Sequence, residues 1–284
     1  MIKRIFVDLI NAIDKVLLKI LFLWRSILGK NNYFICSFPK SGRTWVRFIF
    51  ANYFNEKYGS ESRVDLHNAY NFTPSLNNRS SILKASRIFK GKFDFLIFST
   101  HMPYDEYTLH DKKVIFILRC VYDTIVSYYF HNSKHHSKFI GNIESFIRDD
   151  EKCLKKIVEY LNSWSPIVGK DHCLVVTYEA LSVDTMSSMT RLIKFLNLHV
   201  DERVLKNAIN NSSFESMKEI EIRRGISNHS HNTSQQDARR IRRGKVKGYV
   251  DYLSNDDVKF INNYLNKNLS KESLNMLKIN DIEI

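Results

Sequence analysis

The chain has 284 residues, 44% apolar and 26% charged, with a formal net charge of +13. That length and apolar content support one large domain with a full core, and no Pro-rich or Gly/Ser-rich linker and no repeat marks a second one. Cys36, Cys120, Cys153 and Cys173 are too widely spread for a paired metal site and read as reduced thiols of a cytosolic protein. The basic surplus calls for an anionic partner: nucleic acid, anionic lipid or a polyanionic small molecule. Charge alone does not choose among these.

Residues 2–28 follow a helical apolar stripe through Ile2, Ile5, Phe6, Leu9, Ile13, Leu17, Ile20 and Trp24, with Lys3, Arg4, Lys15, Lys19 and Arg25 mainly opposite. The charges exclude a membrane span, and Lys19 with no small-residue cleavage site argues against a secretory signal. Leu18, Phe22 and Leu23 widen the apolar face and favour contact with a membrane surface or a partner over packing on the domain.

Tyr33 to Phe38 is a short apolar run that reads as a buried strand. Pro39 ends it, because proline cannot donate to a ladder. Lys40, Ser41, Gly42, Arg43 and Thr44 form a tight polar loop, and Trp45, Val46, Phe48, Ile49 and Phe50 then predict a helix from about Thr44. Strand, short loop and helix make an anion site, since the first-turn N–H groups are unpaired and the helix dipole favours negative charge. It is not a Walker A loop, because Lys40 precedes the only glycine. So short a loop suits one phosphate-like group. From this stretch alone an ordinary turn with a solvated lysine is equally good.

Residues 60–90 are polar, contain Pro74 and read as a loop-rich insert. Phe93 to Ser99 predicts a second strand, ending in Thr100-His101-Met102-Pro103. A histidine at such a strand end sits where open α/β sheets bind ligands, although a ring bonded to backbone is the commoner outcome. Val114 to Leu118 predicts a third strand, apolar throughout as parallel strands are. Arg119 follows, then a helix from about Thr124 with Asp123 as a candidate cap. Arg119 and Ser127 are placed to meet at one anion, while an Arg119–Asp123 pair is the plain alternative.

A helix is expected over Ile143 to Ser163, a fourth strand over Leu174 to Tyr178, and a helix over Met186 to Leu198. Strands alternating with helices predict a single α/β domain with a doubly wound, mainly parallel sheet. Residues 210–235 read as polar and mobile. From Arg239 to Lys247, six cations fall in nine positions, and Gly244 and Gly248 suggest a shaped loop that approaches a ligand closely. A closing helix runs through Tyr264. His131, His135 and His136 lack a carboxylate or cysteine at ligand spacing, so no metal is expected, and His229 and His231 read as solvated.

Six elements in order now resemble one family. They are Pro39-Lys40-Ser41-Gly42-Arg43-Thr44-Trp45, Thr100 to Pro103, and Arg119 with Ser127-Tyr128-Tyr129. Then come Tyr178-Glu179, Ser213-Phe214 with Met217, and Arg242-Arg243-Gly244 with Gly248. Together they are similar to the cytosolic-type sulfotransferases that use 3′-phosphoadenosine 5′-phosphosulfate (PAPS), over about residues 33–265.

With the amphipathic stretch taken as a helix over 1–30, the resemblance implies a sulfotransferase domain over 31–284, with PAPS as donor and no metal. It implies that Lys40 sits by the oxygen bridging phosphorus and sulfur, and that Ser41, Gly42, Arg43 and Thr44 hold the 5′-phosphate. Trp45, Tyr178 and Phe214 would contain the adenine, with Ser213 beside them. Arg119, Ser127, Arg242, Arg243 and Gly244 would hold the 3′-phosphate, and His101 would be the general base. Five positions depart from the family pattern: Arg43 for Thr, Ser99 for a lysine near the sulfate, Cys120-Val121 for Asn-Pro, and Tyr249 for Asp.

A P-loop kinase would need a Walker A loop and a strand-end aspartate for magnesium. A nucleic-acid-binding protein would leave Pro39 to Trp45 unexplained, so no nucleic acid is expected. The regions flanking the presumed acceptor mouth are rich in Tyr, Asn, His and Lys. They favour a glycan or glycolipid hydroxyl over a steroid or simple phenol, in a cytoplasmic and membrane-associated protein.

Overall fold

A computed structural model describes residues 31–59, 63–76, 78–90, 95–110, 112–135, 138–149, 151–225 and 236–284. The expected helix over 2–28, His136, His229 and His231 lie outside them. Among the described residues no helix is long and apolar enough to cross a membrane.

Four strands, β1 (Asn31–Ser37), β2 (Phe95–Thr100), β3 (Lys113–Leu118) and β4 (Cys173–Thr177), form one sheet in the order β2-β1-β3-β4. Every pairing is parallel. The chain runs outward from β1 to β2 and then crosses back to β3, so the strand order reverses between β1 and β3. Open α/β sheets bind ligands at such a reversal, beyond the strands' C-terminal ends.

Helices cover both faces. Phe95 pairs in register with Asn31, and Phe116 with Cys36; the two β1 positions are an odd number apart and so face opposite ways. Phe54 of α1 (Arg43–Tyr58) meets Phe95 at 6.3 Å between ring centroids. Trp164, with no exposed surface, stacks on Phe116 at 4.9 Å on the other face. The central strand side chains Phe34, Ile35, Cys36, Val114, Ile115 and Phe116 are all fully buried. The four cysteines are buried and unpaired.

Several expectations need correcting. Residues 60–90 are not wholly irregular. Ser75 bridges to Ser99 beside β2, and α2 (Arg79–Ile88) follows, capped by Asn78, which accepts from the Ser81 amide at 3.0 Å. After the short α3 (Glu106–Leu109) and β3, α4 (Val121–Phe130) begins at Val121, so Asp123 lies inside the helix and does not cap it.

The helix expected over 143–163 is two, α5 (Ile143–Arg148) and α6 (Leu154–Trp164). The polar run between them offers side-chain partners to the backbone: Asp149 accepts from the Glu151 amide at 2.9 Å, which competes with helix continuation. Tyr178 opens α7 (Tyr178–Val183) and is not the end of β4; Thr177 caps that helix. After α8 (Thr185–Phe195) and α9 (Glu202–Asn211), α10 (Phe214–Arg224) occupies part of the stretch read as mobile. The closing helix is a pair, α11 (Asn255–Asn268) and α12 (Lys271–Ile279).

Candidate active site

The β1–α1 turn sits at the middle of the sheet's C-terminal rim, and two of its residues have left-handed backbone: Lys40 (φ 75°) and Gly42 (φ 96°). A Cβ on Gly42 would stand 2.5 Å from a Tyr178 ring carbon, so only glycine lets the turn pass under that ring. The helix starts at Arg43, one residue before the expected Thr44. The helix thus opens at the same rim, and a helix N-terminus favours an anion. Trp45 is held by its indole N–H, which donates to the Ser212 carbonyl at 2.9 Å.

A cavity of about 490 Å³ opens over this turn. Lys40, Gly42, Arg43, Thr44 and Trp45 form its floor; His101 and Arg119 reach it from just past the ends of β2 and β3, Ser127 from within α4 and Tyr178 from the start of α7. Phe214, Arg242, Arg243 and Gly244 close the far wall. Ser41 and Ser213 do not line it: Ser41 is buried beneath the turn, and the Ser213 hydroxyl caps α10 by accepting from the Ser216 amide at 3.2 Å. The structure thus gathers most of the residues singled out in the sequence around one space.

The wall that carries the residues expected at a 3′-phosphate is tied together internally. Arg119 donates to the Lys40 carbonyl at 3.1 Å, and its guanidinium lies 4.3 Å from the Tyr178 ring centroid. Its Nε is buried with no hydrogen-bond partner. Arg242 donates to the Tyr252 hydroxyl at 2.6 Å, and Arg243 pairs with Asp251 at 2.8 Å. Gly244 has φ 63°, and a Cβ there would stand 2.5 Å from the Phe214 ring. Aromatic faces from Trp45, Tyr178 and Phe214 thus share this cavity with the cation of Arg119 and the β1–α1 turn.

Asp123 does more than the sequence showed. Its two oxygens accept from the backbone N–H groups of Lys247 at 2.9 Å and Tyr249 at 2.8 Å, and it stands 3.8 Å from Arg119. The plain Arg119–Asp123 pair therefore exists, but the carboxylate's larger task is to anchor the basic loop. Glu179 similarly accepts from the Cys120 amide at 3.0 Å and joins the ends of β3 and β4. Asp123→Asn would put an N–H donor against a backbone N–H donor. Hydrogen bonds to a charged group are worth about 1.5–3 kcal/mol, so nucleotide affinity should fall about tenfold or more. Calorimetry, with hydrogen exchange at residues 245–249 reporting loop release, checks this.

His101 rests on β1: its Nδ1 lies 2.7 Å from the Ser37 carbonyl oxygen. A carbonyl only accepts, so Nδ1 carries the hydrogen and Nε2 keeps its lone pair. Solvent reaches the residue through the cavity even though protein surrounds it. Burial, then the cations Arg43, Arg240 and Arg47, push its pKa well below the usual histidine value, with the Ser37 bond opposing. The ring is neutral at neutral pH.

Burial lowers the Lys40 ammonium to about 7, helped by Arg240, Arg119 and Arg242 and opposed by Glu221. Burial likewise lowers Arg43 to about 10 and Arg47 to about 9. The cavity is a concentrated positive field.

Sequence reasoning missed Arg47, Tyr70 and Arg240, which line the same cavity. Arg47 follows Arg43 by four residues and so shares its helix face, a signal present in the sequence. Tyr70 had none, since its partner Arg240 lies 170 residues away, at 3.1 Å in space.

The sulfotransferase domain family model matches residues 30–273. Cytosolic sulfotransferase 17 of Arabidopsis thaliana is 25% identical over 250 residues, 79% of this chain and 70% of that protein. Human sulfotransferase 2B1 is 27% identical over 201 residues, 66% of this chain; the match spans 52% of the human protein. The crystal structure of mouse sulfotransferase SULT7A1 complexed with PAP superposes with a TM-score of 0.63 at 17% identity, covering 88% of this chain and 89% of that one. That likeness bears on the fold, and the family match agrees with it. The chain belongs to the sulfotransferase family, enzymes that draw on PAPS as their sulfuryl donor.

Proposed function

We propose that this chain moves the sulfuryl group of PAPS to the hydroxyl of a polar acceptor of glycan or glycolipid type, with His101 as general base. The reading rests on one observation above all: the Ser37 carbonyl fixes the His101 tautomer and leaves Nε2 able to accept a proton in the cavity that Lys40 also lines.

When bound, PAPS supplies a sulfuryl group on the oxygen shared with its 5′-phosphate. His101 takes the acceptor's proton at Nε2 as the new oxygen–sulfur bond forms. Lys40 meets the charge left on the bridging oxygen as the old bond breaks. The β1–α1 turn and Arg119 hold the nucleotide in place, so that positioning and fixed charge do the catalytic work. Polar and cationic groups from Tyr70, Arg47 and Arg240 on the cavity wall support a polar acceptor. Residues 2–28 would bring the enzyme to a cytoplasmic membrane surface.

The test is calorimetry with PAP against adenosine 5′-phosphate, followed by transfer from ³⁵S-labelled PAPS into a fractionated cell extract. PAP should bind far more tightly than adenosine 5′-phosphate, and label should enter a hydroxyl-bearing product. Failure of PAP to bind removes the proposal. Liposome flotation with and without residues 1–28 decides the membrane part, which falls if the truncation changes nothing.

A further inference from the structure

The cavity has two flanks, and only one is accounted for by the donor. On the β3 side stand Arg119, Ser127 and the Arg242–Gly244 loop. On the β2 side, where His101 emerges, stands a second cationic group. The segment before α2 runs beside β2: the Ser99 amide donates to the Pro74 carbonyl at 2.9 Å, and the Leu76 amide to the Ser99 carbonyl at 3.0 Å. That seats Thr73 and Tyr70 outboard of the strand that carries His101.

Arg47 is buried and reaches this segment. Its Nε donates to the Thr73 hydroxyl at 2.9 Å, its Nη2 to the Thr73 carbonyl, and its guanidinium lies 4.0 Å from the Tyr70 ring centroid. Arg240 arrives from the basic loop and donates to the Tyr70 hydroxyl at 3.1 Å. Arg43 lies one helical turn before Arg47, and its Nη1 is shut off from solvent with no hydrogen-bond partner.

Three guanidinium groups are thus gathered beside the base. Glu221, a fully buried carboxylate, stands close to this group and accepts from the Arg240 and Ile241 amides at 2.7 and 2.8 Å, and its single charge offsets only part of three. Holding three cations together is costly unless an anion joins them. Planar guanidinium donors suit carboxylate, sulfate or phosphate oxygens.

We infer that the acceptor carries an anionic group near its reacting hydroxyl, received by Arg43, Arg47 and Arg240 with Tyr70. The inference rests on the sulfotransfer reading and narrows its acceptor to acidic molecules. It also gives Arg43 a role for its side chain beyond its place in the phosphate-binding turn.

The test separates an extract of the source cells into neutral and acidic pools on an anion exchanger before labelling. Each pool is then offered to the protein with ³⁵S-labelled PAPS at saturating donor. The acidic pool should take about tenfold or more of the label at equal mass, a gap of about 1.4 kcal/mol or more in transition-state stabilisation. Arg240→Gln and Arg47→Met should bring the pools level without raising the KM for PAPS. If Arg47→Met does not fold, Tyr70→Phe and Arg240→Gln carry the comparison.

Prior methyl-esterification or phosphatase treatment of the acidic pool shows whether the group is a carboxylate or a phosphate. Label entering mainly the neutral pool overturns the inference, as do variants that raise the KM for PAPS, which would give these arginines to the donor. Label in neither pool, with no PAP binding, takes down the sulfotransfer reading itself and this inference with it.

Discussion

His101→Ala should lower turnover by about 10²–10⁴-fold, the range of a general base, while PAP binds as before. The ring's hydrogen bond through Nδ1 to the Ser37 carbonyl ties it to β1, and Arg119, Ser127 and Arg242 to Gly244, the residues expected at the 3′-phosphate, stand on other elements. A purely structural role would instead lower the melting temperature and weaken PAP together.

The pH profile separates the two further. A base must be deprotonated to act, so the rate falls as pH drops through its pKa. In the free protein that pKa is pushed well below the usual histidine value by burial and then by Arg43, Arg240 and Arg47. The acid limb of kcat/KM therefore lies below the ordinary histidine region. A bound polyanionic donor offsets those cations and raises the pKa, so the acid limb of kcat should sit at higher pH than that of kcat/KM. Coincident limbs, or full turnover in the alanine variant, would remove His101 from the reaction.

The parts of this molecule legible in the sequence are those written in local spacing. Phe34 to Cys36 and Val114 to Phe116 are fully buried, and an unbroken apolar run is what such strands require. The β1–α1 turn was legible because Pro39, Gly42 and the apolar helix face follow each other within one element. The break between α5 and α6 was not, since Leu154, Ile157, Val158 and Leu161 continue an apolar pattern and the interruption comes from side-chain bonds at Asp149.

Contacts between distant segments left no local trace. Asp123 looked like a helix cap, and its partners, the Lys247 and Tyr249 amides, are more than 120 residues away. Tyr70 sat in a stretch that read as irregular, and the seating of Ser75 against Ser99 and its contact with Arg47 bring it to the cavity. Local periodicity reports which face is buried, not which element covers it.

Lys40→Met should reduce kcat by about 10²–10³-fold, the usual loss when one fixed donor to developing charge is removed. The backbone should survive the change. The turn is held from outside the side chain, by Arg119 donating to the Lys40 carbonyl at 3.1 Å and by Gly42 under Tyr178. Methionine also fills the length of the lysine stem without its charge.

The same lysine makes nucleotide binding depend on pH in a definite direction. In the free protein its pKa is lowered to about 7, by burial first and then by Arg240, Arg119 and Arg242. About half of the amines are therefore neutral near that pH. A phosphate-bearing ligand favours the ammonium and raises the pKa in the complex, so binding takes up protons. Affinity is then greatest below the free-protein value and declines as pH rises from there toward the bound-state value. Calorimetry of PAP at pH 7.5 in buffers of different ionisation enthalpy reads that uptake directly. Lys40→Met should abolish its lysine-dependent part and flatten the affinity profile through this window. Equal uptake in both proteins would show that the proton goes elsewhere and that Lys40 is already charged before the nucleotide arrives.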